Sequence, residues 1–468
     1  MVKNRPTRRY VNKGLASTAL LAASGSSCAR VDRPNILLIV SDDLGTQLGC
    51  YGDKIAHTPT IDQLARDGVR FVNAYVTQSS CSSSRSSILT GLYPHQNGQT
   101  GLANHGYKLR AGVPLLPNLL HDRGYFTSAI GKLHVIAQEE WAFDHNISQN
   151  VAVRTRDVNF VLTEMNKALD KATTAKKPFF IQLSLFDPHR PYESTSQGLP
   201  IKTYTKDDVE PFRFSYLGDG INEDVAGFYT ALSRADAITA ETLNLLRDRN
   251  ILKNTLIIFL GDHGPPFWRA KTTCYESGIR IPLIFSMPGS LPSGMVVNEL
   301  VSTISLLPTL LDFAGSTDKP PLNWTTPSLL PLLTNTAKNW SDILFAEFTA
   351  HAKTLYLPQR AVRRGRHKLI LSAKKGTRDV RHIGTIGAKT ARKIAYGAHS
   401  GTHQYASVHR LALDPPRFQL FDLVDDPYEA GNLATSDQYA NVITELEGLI
   451  LSWQQETNDP LLAEFHPS

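Results

Sequence analysis

The sequence predicts an α/β protein: a large, mostly parallel sheet flanked by helices, followed by a smaller C-terminal α+β part. Three observations carry this prediction. Apolar runs of strand length stop abruptly at polar or acidic residues, the pattern of strands buried on both faces. Segments with apolar residues three to four apart separate those runs, as helices covering a sheet would. Beyond about residue 335 the runs shorten and are joined by hairpin-type turns.

Asn35 to Ser41 (NILLIVS) is the first predicted strand, and it ends at Asp42-Asp43. Pro178 to Phe186 (PFFIQLSLF) runs into Asp187, Thr255 to Leu260 (TLIIFL) into Gly261-Asp262, and Ile281 to Phe285 (IPLIF) stops before Ser286. Helices are predicted over Thr60 to Asp67, Leu115 to Arg123 and Asn159 to Ala172. The longest covers Asp224 to Arg249, where Phe228, Leu232, Ala235, Ile238, Thr242 and Leu245 form one stripe. In the C-terminal part, Asp342 to Glu347, Ala361 to Arg364, His367 to Leu371 and Phe418 to Leu423 read as strands, and Asn441 to Gln455 as a helix. A basic stretch from Lys374 to Lys393 shows no periodicity. This divides the chain into an N-terminal segment, 1–29, a main domain, 30–340, and a smaller subdomain, 341–468.

Composition is that of a globular protein, with 41% hydrophobic and 20% charged residues. The formal net charge is +6, but Lys3, Arg5, Arg8, Arg9 and Lys13 supply most of it. Without them almost no excess remains, so no nucleic-acid partner is expected. Those residues precede an apolar run, Gly14 to Ala23, and small residues up to Ala29. The order is that of an export signal, and the run is too short for a lasting membrane span. Arg8-Arg9 resembles a twin-arginine signal, and Cys28 is the alternative, a lipid-anchor site. The expected location is therefore periplasmic or cell-surface. Cys50 and Cys274 fit either buried free thiols or a pair, and no zinc-type cysteine spacing occurs.

Adjacent carboxylates at a buried strand end are costly unless a positive charge neutralises them. Asp42-Asp43 and Asp262-His263 repeat this arrangement at two strand ends, which points to a hard cation such as calcium. Cys81 lies in SSCSSSR, at a predicted helix start where free amides and the helix dipole favour an anion. Arg85, one turn on, can face the same side. By itself this constellation fits a thiolate phosphatase loop, a structural cysteine beside a cap, or a sulfatase nucleophile.

Ser80 to Gly91 (SCSSSRSSILTG) resembles the signature of the type I, formylglycine-dependent sulfatases. Asp42-Asp43-Leu44-Gly45, Gly131-Lys132-Leu133-His134, Asp187-Pro188-His189, Asp262-His263-Gly264 and Lys271 with YESGIRIP (275–282) follow in that family's order, and LFDLVDDPYEAGNLA (420–434) resembles its closing motif. The resemblance implies an alkaline-phosphatase-like sulfatase fold and one calcium ion held by Asp42, Asp43, Asp262, His263 and residue 81. It also implies that a maturation enzyme oxidises Cys81 to formylglycine (3-oxoalanine), whose hydrate attacks sulfur. Arg85 would hold the activated residue and Lys132 and Lys271 would clamp the sulfate. His189 would protonate the leaving atom, and His134 would take the second hydroxyl proton. The family pattern usually has proline two residues after the cysteine, where this chain has Ser83.

Within the family the segments Pro94 to Gly98, Phe186 to Arg190 and Thr349 to His351 with Leu357 to Arg363 resemble the N-sulfoglucosamine sulfohydrolases, the heparan sulfamidases. They nominate His95, Arg190, His351 and Arg360 as contacts to a sulfated mono- or oligosaccharide. Three other readings stand beside a sulfamidase. They are an exo-acting O-sulfatase on algal oligosaccharides, a phosphodiester or phosphonate hydrolase, and an inactive carbohydrate-binding protein.

Overall fold

The computed structural model describes residues 33–217, 221–315, 326–373 and 405–466. The predicted export signal with Cys28, and the Lys374 to Lys393 stretch, lie outside them. The sheet strands are β1 (Asn35–Ser41), β2 (Val69–Tyr75), β3 (Phe126–Gly131), β4 (His145–Ile147), β5 (Phe179–Leu185), β6 (Thr255–Gly261), β7 (Arg280–Ser286) and β8 (Met295–Ser302). They form one sheet in the order β4-β3-β5-β1-β6-β7-β2-β8. Pairing is parallel from β4 through β6, while β7 runs antiparallel to both β6 and β2. β1, β5 and β6 are buried along their whole lengths, which is why their sequences are continuously apolar rather than alternating.

The Asn222–Asp248 helix packs on the Val158–Ala175 and Pro59–Arg66 helices. Asp236 on the first of these accepts bonds from the amides of Thr60 and Ile61, 3.2 and 2.8 Å away. A carboxylate from one helix thereby satisfies the free N–H groups that open another. Burial pushes Asp236 up to about 6, opposed by those amide bonds.

A second sheet contains β9 (Ile343–Ala350), β10 (Tyr356–Arg364), β11 (His367–Ser372) and β12 (Phe418–Asp422), antiparallel in the order β12-β11-β10-β9. The Ala440–Glu456 helix covers it through Leu446 and Ile450. The two sheets are tied by a charged contact. Lys368 of β11 bonds Glu276 at 3.1 Å, and Arg363 of β10 reaches the same carboxylate at 3.2 Å. The expected fold class is thus found, with β7 as the antiparallel departure. The sequence reading did not include β2, β3, β4 and β8. β2 carries Arg70 and Asn73 at partly buried positions and β3 is interrupted by Thr127 and Ser128, so neither gives a continuous apolar run.

Candidate active site

The C-terminal ends of β3, β5, β1 and β6 lie side by side, and each carries polar residues into one cleft. β1 leads to Asp42-Asp43, β3 to Lys132, β5 to Asp187 and His189, and β6 to Asp262-His263. An open parallel sheet places a site there because neighbouring strand ends converge without side chains to fill the crevice. Asp262-His263 needs its flanking glycines. A Cβ on Gly261 would stand 1.9 Å from Leu44 O, and one on Gly264 would stand 1.8 Å from Ser277 O. The Cys81–Thr90 helix enters the same cleft with every residue buried.

Asp42, Asp43, Cys81 and His263 each offer a ligand atom, and these atoms all lie within 4.8 Å of one another. The Cys81 Sγ is 3.3 Å from His263 Nε2 and 3.7 Å from Asp42 Oδ1. His263 Nδ1 donates to Gly264 O at 2.9 Å, which leaves Nε2 facing the cluster. Asp262 stands just outside it. Its Oδ1 accepts from the Asp43 amide and its Oδ2 from Arg85 Nε, both at 2.9 Å. Arg85 also donates from Nη1 to Lys132 O at 2.7 Å, while its buried Nη2 has no hydrogen-bond partner. Lys132 bonds Asp42, and Lys271 Nζ lies 2.6 Å from Asp43 Oδ1. The predicted catalytic and metal residues are therefore one contiguous assembly, drawn from positions 42 to 271.

The electrostatics of the site are set by burial and by opposite charges packed against one another. Burial pushes Asp42 up, but Lys132 outweighs it and holds the carboxyl well below its usual range. Asp262 is pushed up to about 7, by burial and then by the charge on Asp42. Burial raises the Cys81 thiol, yet Lys132, Lys271 and His263 together hold it far below its ordinary value. Burial pulls His263 down, and Asp262 and Cys81 override it and raise it to about 9. A divalent cation fits this donor set. Two carboxylates and an imidazole nitrogen, turned toward them by the Nδ1 bond to Gly264 O, converge within 4.8 Å beside a third carboxylate, Asp262. Arg85 Nη2 makes no hydrogen bond and stands 3.7 Å from Asp42 Oδ1, which leaves a donor for an oxygen on a modified residue 81.

Removal of bound metal has a predicted outcome. Dialysis against a chelator should lower the melting temperature by a few degrees, and calcium should restore it, because ligand at 100 times its Kd stabilises by about 2.7 kcal/mol. A melting curve unmoved by chelator and by calcium would remove the ion from this site.

His189 sits at the cleft edge with its side chain 28% exposed. Its Nδ1 donates to Arg190 O, and its Nε2 is 3.8 Å from Asp43 Oδ2. The loop carrying it is held from beneath by residues the sequence reading missed. Arg156 Nη2 donates to His189 O at 2.8 Å, and Arg156 and Arg234 both grip Asp187. The available signal was Arg234, a cation within the apolar stripe of a long helix. His134 donates from Nε2 to Asn104 Oδ1, 3.2 Å away, and burial lowers its pKa.

The four nominated sugar contacts separate. Arg190 lies beside His189, with Nη1 on Asp224 at 2.7 Å and its guanidinium over the Tyr192 and Phe267 rings. His351 Nδ1 is 2.9 Å from Ser80 Oγ, and burial with the nearby Lys271 lowers it to about 3, so it is a neutral hydrogen bonder. His95 and Arg360 line a separate cavity and each has buried partners. His95 bonds Glu347 through Nδ1 and Thr457 through Nε2, and Arg360 forms a two-point pair with Asp459 at 2.6 and 3.0 Å. Cys50 and Cys81 are free thiols.

A buried thiol among paired carboxylates, at the strand ends of an alkaline-phosphatase-like sheet, defines a metal-assisted hydrolase with a covalent nucleophile. The family model described as Sulfatase matches residues 34–316, and one described as N-sulphoglucosamine sulphohydrolase, C-terminal, matches residues 261–378. The chain belongs to the sulfatase family, and its Asp42, Asp43, Cys81 and His263 cluster is the calcium-coordinating, formylglycine-forming site of that family. It is 31% identical to human N-sulphoglucosamine sulphohydrolase, covering 95% of this chain and 94% of the relative. It is 27% identical to an ulvan-active sulfatase of Formosa agariphila, covering 93% and 82%. A solved structure in complex with its substrate D-glucosamine-2-N,6-O-disulfate superposes with a TM-score of 0.67 at 20% identity. It covers 92% of this chain and 99% of that one, a likeness of fold.

Proposed function

We propose that this sulfatase hydrolyses the N-sulfate of glucosamine residues at the end of a heparan-type glycan, after a maturation enzyme has converted Cys81 to formylglycine. The observation that carries this reading is the match of residues 261–378 to the N-sulphoglucosamine sulphohydrolase C-terminal model. That segment brings Lys271 and His351 to the Cys81 cleft. Bound calcium and the formylglycine hydrate supply, respectively, positive charge toward sulfate oxygens and a hydroxyl nucleophile.

The side chains of the cleft do the rest. Asp42, Asp43 and His263 hold the cation, with Asp262 available once its carboxylate is ionised. Lys132 and Lys271 exchange their carboxylate partners for sulfate oxygens and stabilise the charge that develops there. Arg85 orients residue 81 through its free Nη2. His189, with Nδ1 bonded to Arg190 O, presents Nε2 to donate to the leaving nitrogen. His134 Nε2 is occupied by Asn104, which leaves Nδ1 to accept a proton from residue 81.

His189→Ala should lower kcat on glucosamine N-sulfate by about 10²–10⁴-fold but lower kcat on an aryl sulfate far less, since an aryl oxide leaves without a proton. Equal losses on both substrates would remove the proton from His189. The ulvan-active relative favours a second reading, O-sulfate removal from algal oligosaccharides. A sulfate-release screen over glucosamine N-sulfate, heparin fragments and ulvan oligosaccharides separates the two. If phosphodiesters outpaced every sulfated substrate, both readings would fall. Among the described residues there is one metal-type cluster, which supports a sulfatase over a two-cluster phosphoesterase. No helix among them is long and apolar enough to cross a membrane.

A further inference from the structure

His95 and Arg360 were nominated for the sugar, yet both belong to the wall of a different cavity, about 370 Å³ in volume. This cavity is open on one side, and its lining contains no carboxylate side chain. Lys108 and Arg110 project at its edge, both exposed, and neither has an ion-pair partner among the described residues. Tyr356 lines it with 47% of its surface exposed, one of few large side chains with an aromatic face so presented. The Gln138 amide and the Thr349 hydroxyl complete a polar wall.

Two observations join this cavity to the catalytic cleft. The loop that carries Lys108 and Arg110 also carries Asn104, which bonds His134 of the cleft at 3.2 Å. Four residues of chain reach at most about 14 Å, so Lys108 lies within a short oligosaccharide's length of the cleft. On the other wall, Thr349 lies two residues from His351, which bonds Ser80 beside Cys81 at 2.9 Å. The strand and loop are also bonded to each other, Ala350 N to Thr100 O at 3.2 Å and Leu102 N to His351 O at 3.0 Å.

Free cations, an exposed aromatic face and neutral hydrogen bonders are the groups that an anionic sugar would engage, and the acids behind the wall, Glu347 and Asp459, are bonded to His95 and Arg360. We propose that this cavity is an auxiliary subsite for a sulfated or carboxylated sugar further along the chain whose end occupies the cleft. Lys108 and Arg110 pair with its oxyanion, and Tyr356 stacks against the ring. The internal bonds of His95 to Glu347 and of Arg360 to Asp459 hold the wall rigid rather than touching the sugar. This deepens the proposed function and rests on it only for the identity of the terminal sugar.

The test compares the matured full chain with a Lys108→Ala/Arg110→Ala double variant, on glucosamine N-sulfate and on an N-sulfated heparin tetrasaccharide. Both side chains are exposed, so the variant should melt with the parent. The expected result is a drop in tetrasaccharide kcat/KM about tenfold larger than any drop on the monosaccharide, carried by KM. Added salt should erase the parent's preference for the longer substrate. Equal effects on the two substrates, or none on either, would overturn the subsite. Calorimetric binding of the heparin tetrasaccharide and of an ulvan oligosaccharide to Cys81→Ala protein, with and without the double substitution, needs no turnover. Binding of either glycan that weakens about tenfold with the substitution supports the subsite even if glucosamine N-sulfate proves not to be the substrate. Binding of both that does not weaken rejects the subsite while leaving the sulfamidase reading standing.

Discussion

Cys81→Ala should lower sulfate release by about 10⁴-fold or more, while the protein still folds. The thiol opens a fully buried helix and is surrounded by Lys132, Lys271 and His263, the arrangement of a reacting group rather than a packing one. Residues that act as a unit lose most of the catalysis when one is removed. Alanine retains the helix and removes little buried surface, so the melting temperature should move by a few degrees at most. Mass spectrometry of the peptide containing Cys81 adds the chemical readout. Formylglycine lowers the mass by about 18 units relative to cysteine. An alanine variant retaining a tenth of the parent's activity would end the assignment of residue 81 as nucleophile. An unmodified thiol in fully active protein would do the same for formylglycine. Ser83 is the position to watch in that measurement, because the maturation enzyme must read a serine where the family usually has proline. Its hydroxyl accepts a bond from Gln78 at 3.2 Å, within the same buried turn.

The second large effect is one of stability. Asp187 is fully buried between Arg156 and Arg234, with contacts of 2.8 Å to the first and of 2.6 and 3.0 Å to the second. Arg234→Met should destabilise the protein by about 3–5 kcal/mol in denaturant unfolding, because it strips two charge-assisted hydrogen bonds from a buried carboxylate and leaves it with Arg156 alone. The same lesion should reach the chemistry. Arg156 holds the carbonyls of His189 and Pro191 at 2.8 and 2.6 Å, and its own position depends on the shared carboxylate. A loss below 1 kcal/mol would show that the triad is not the support of the His189 loop.

The sequence was informative about this protein wherever the signal is local. A buried parallel strand must be apolar throughout, so β1, β5 and β6 were visible, and so were the acids and histidines at their ends. The order of those motifs along the chain was enough to indicate the family and the residues converging on Cys81. Shorter or mixed strands such as β3 carried no comparable signal, although β3 delivers Lys132.

Partnership between distant charged groups was not legible. His95 and Arg360 have the residue types of sugar contacts, and the sequence could not separate them from Arg190 and His351. Their engagement is decided by Glu347, 252 positions from His95, and by Asp459, 99 positions from Arg360. The Arg156–Asp187–Arg234 triad and the cavity edged by Lys108 and Arg110 are likewise products of tertiary structure. The physical reason is desolvation. Whether a charge is spent inside the protein or left free for a ligand depends on which opposite charge is buried beside it, and only the folded chain brings those two together.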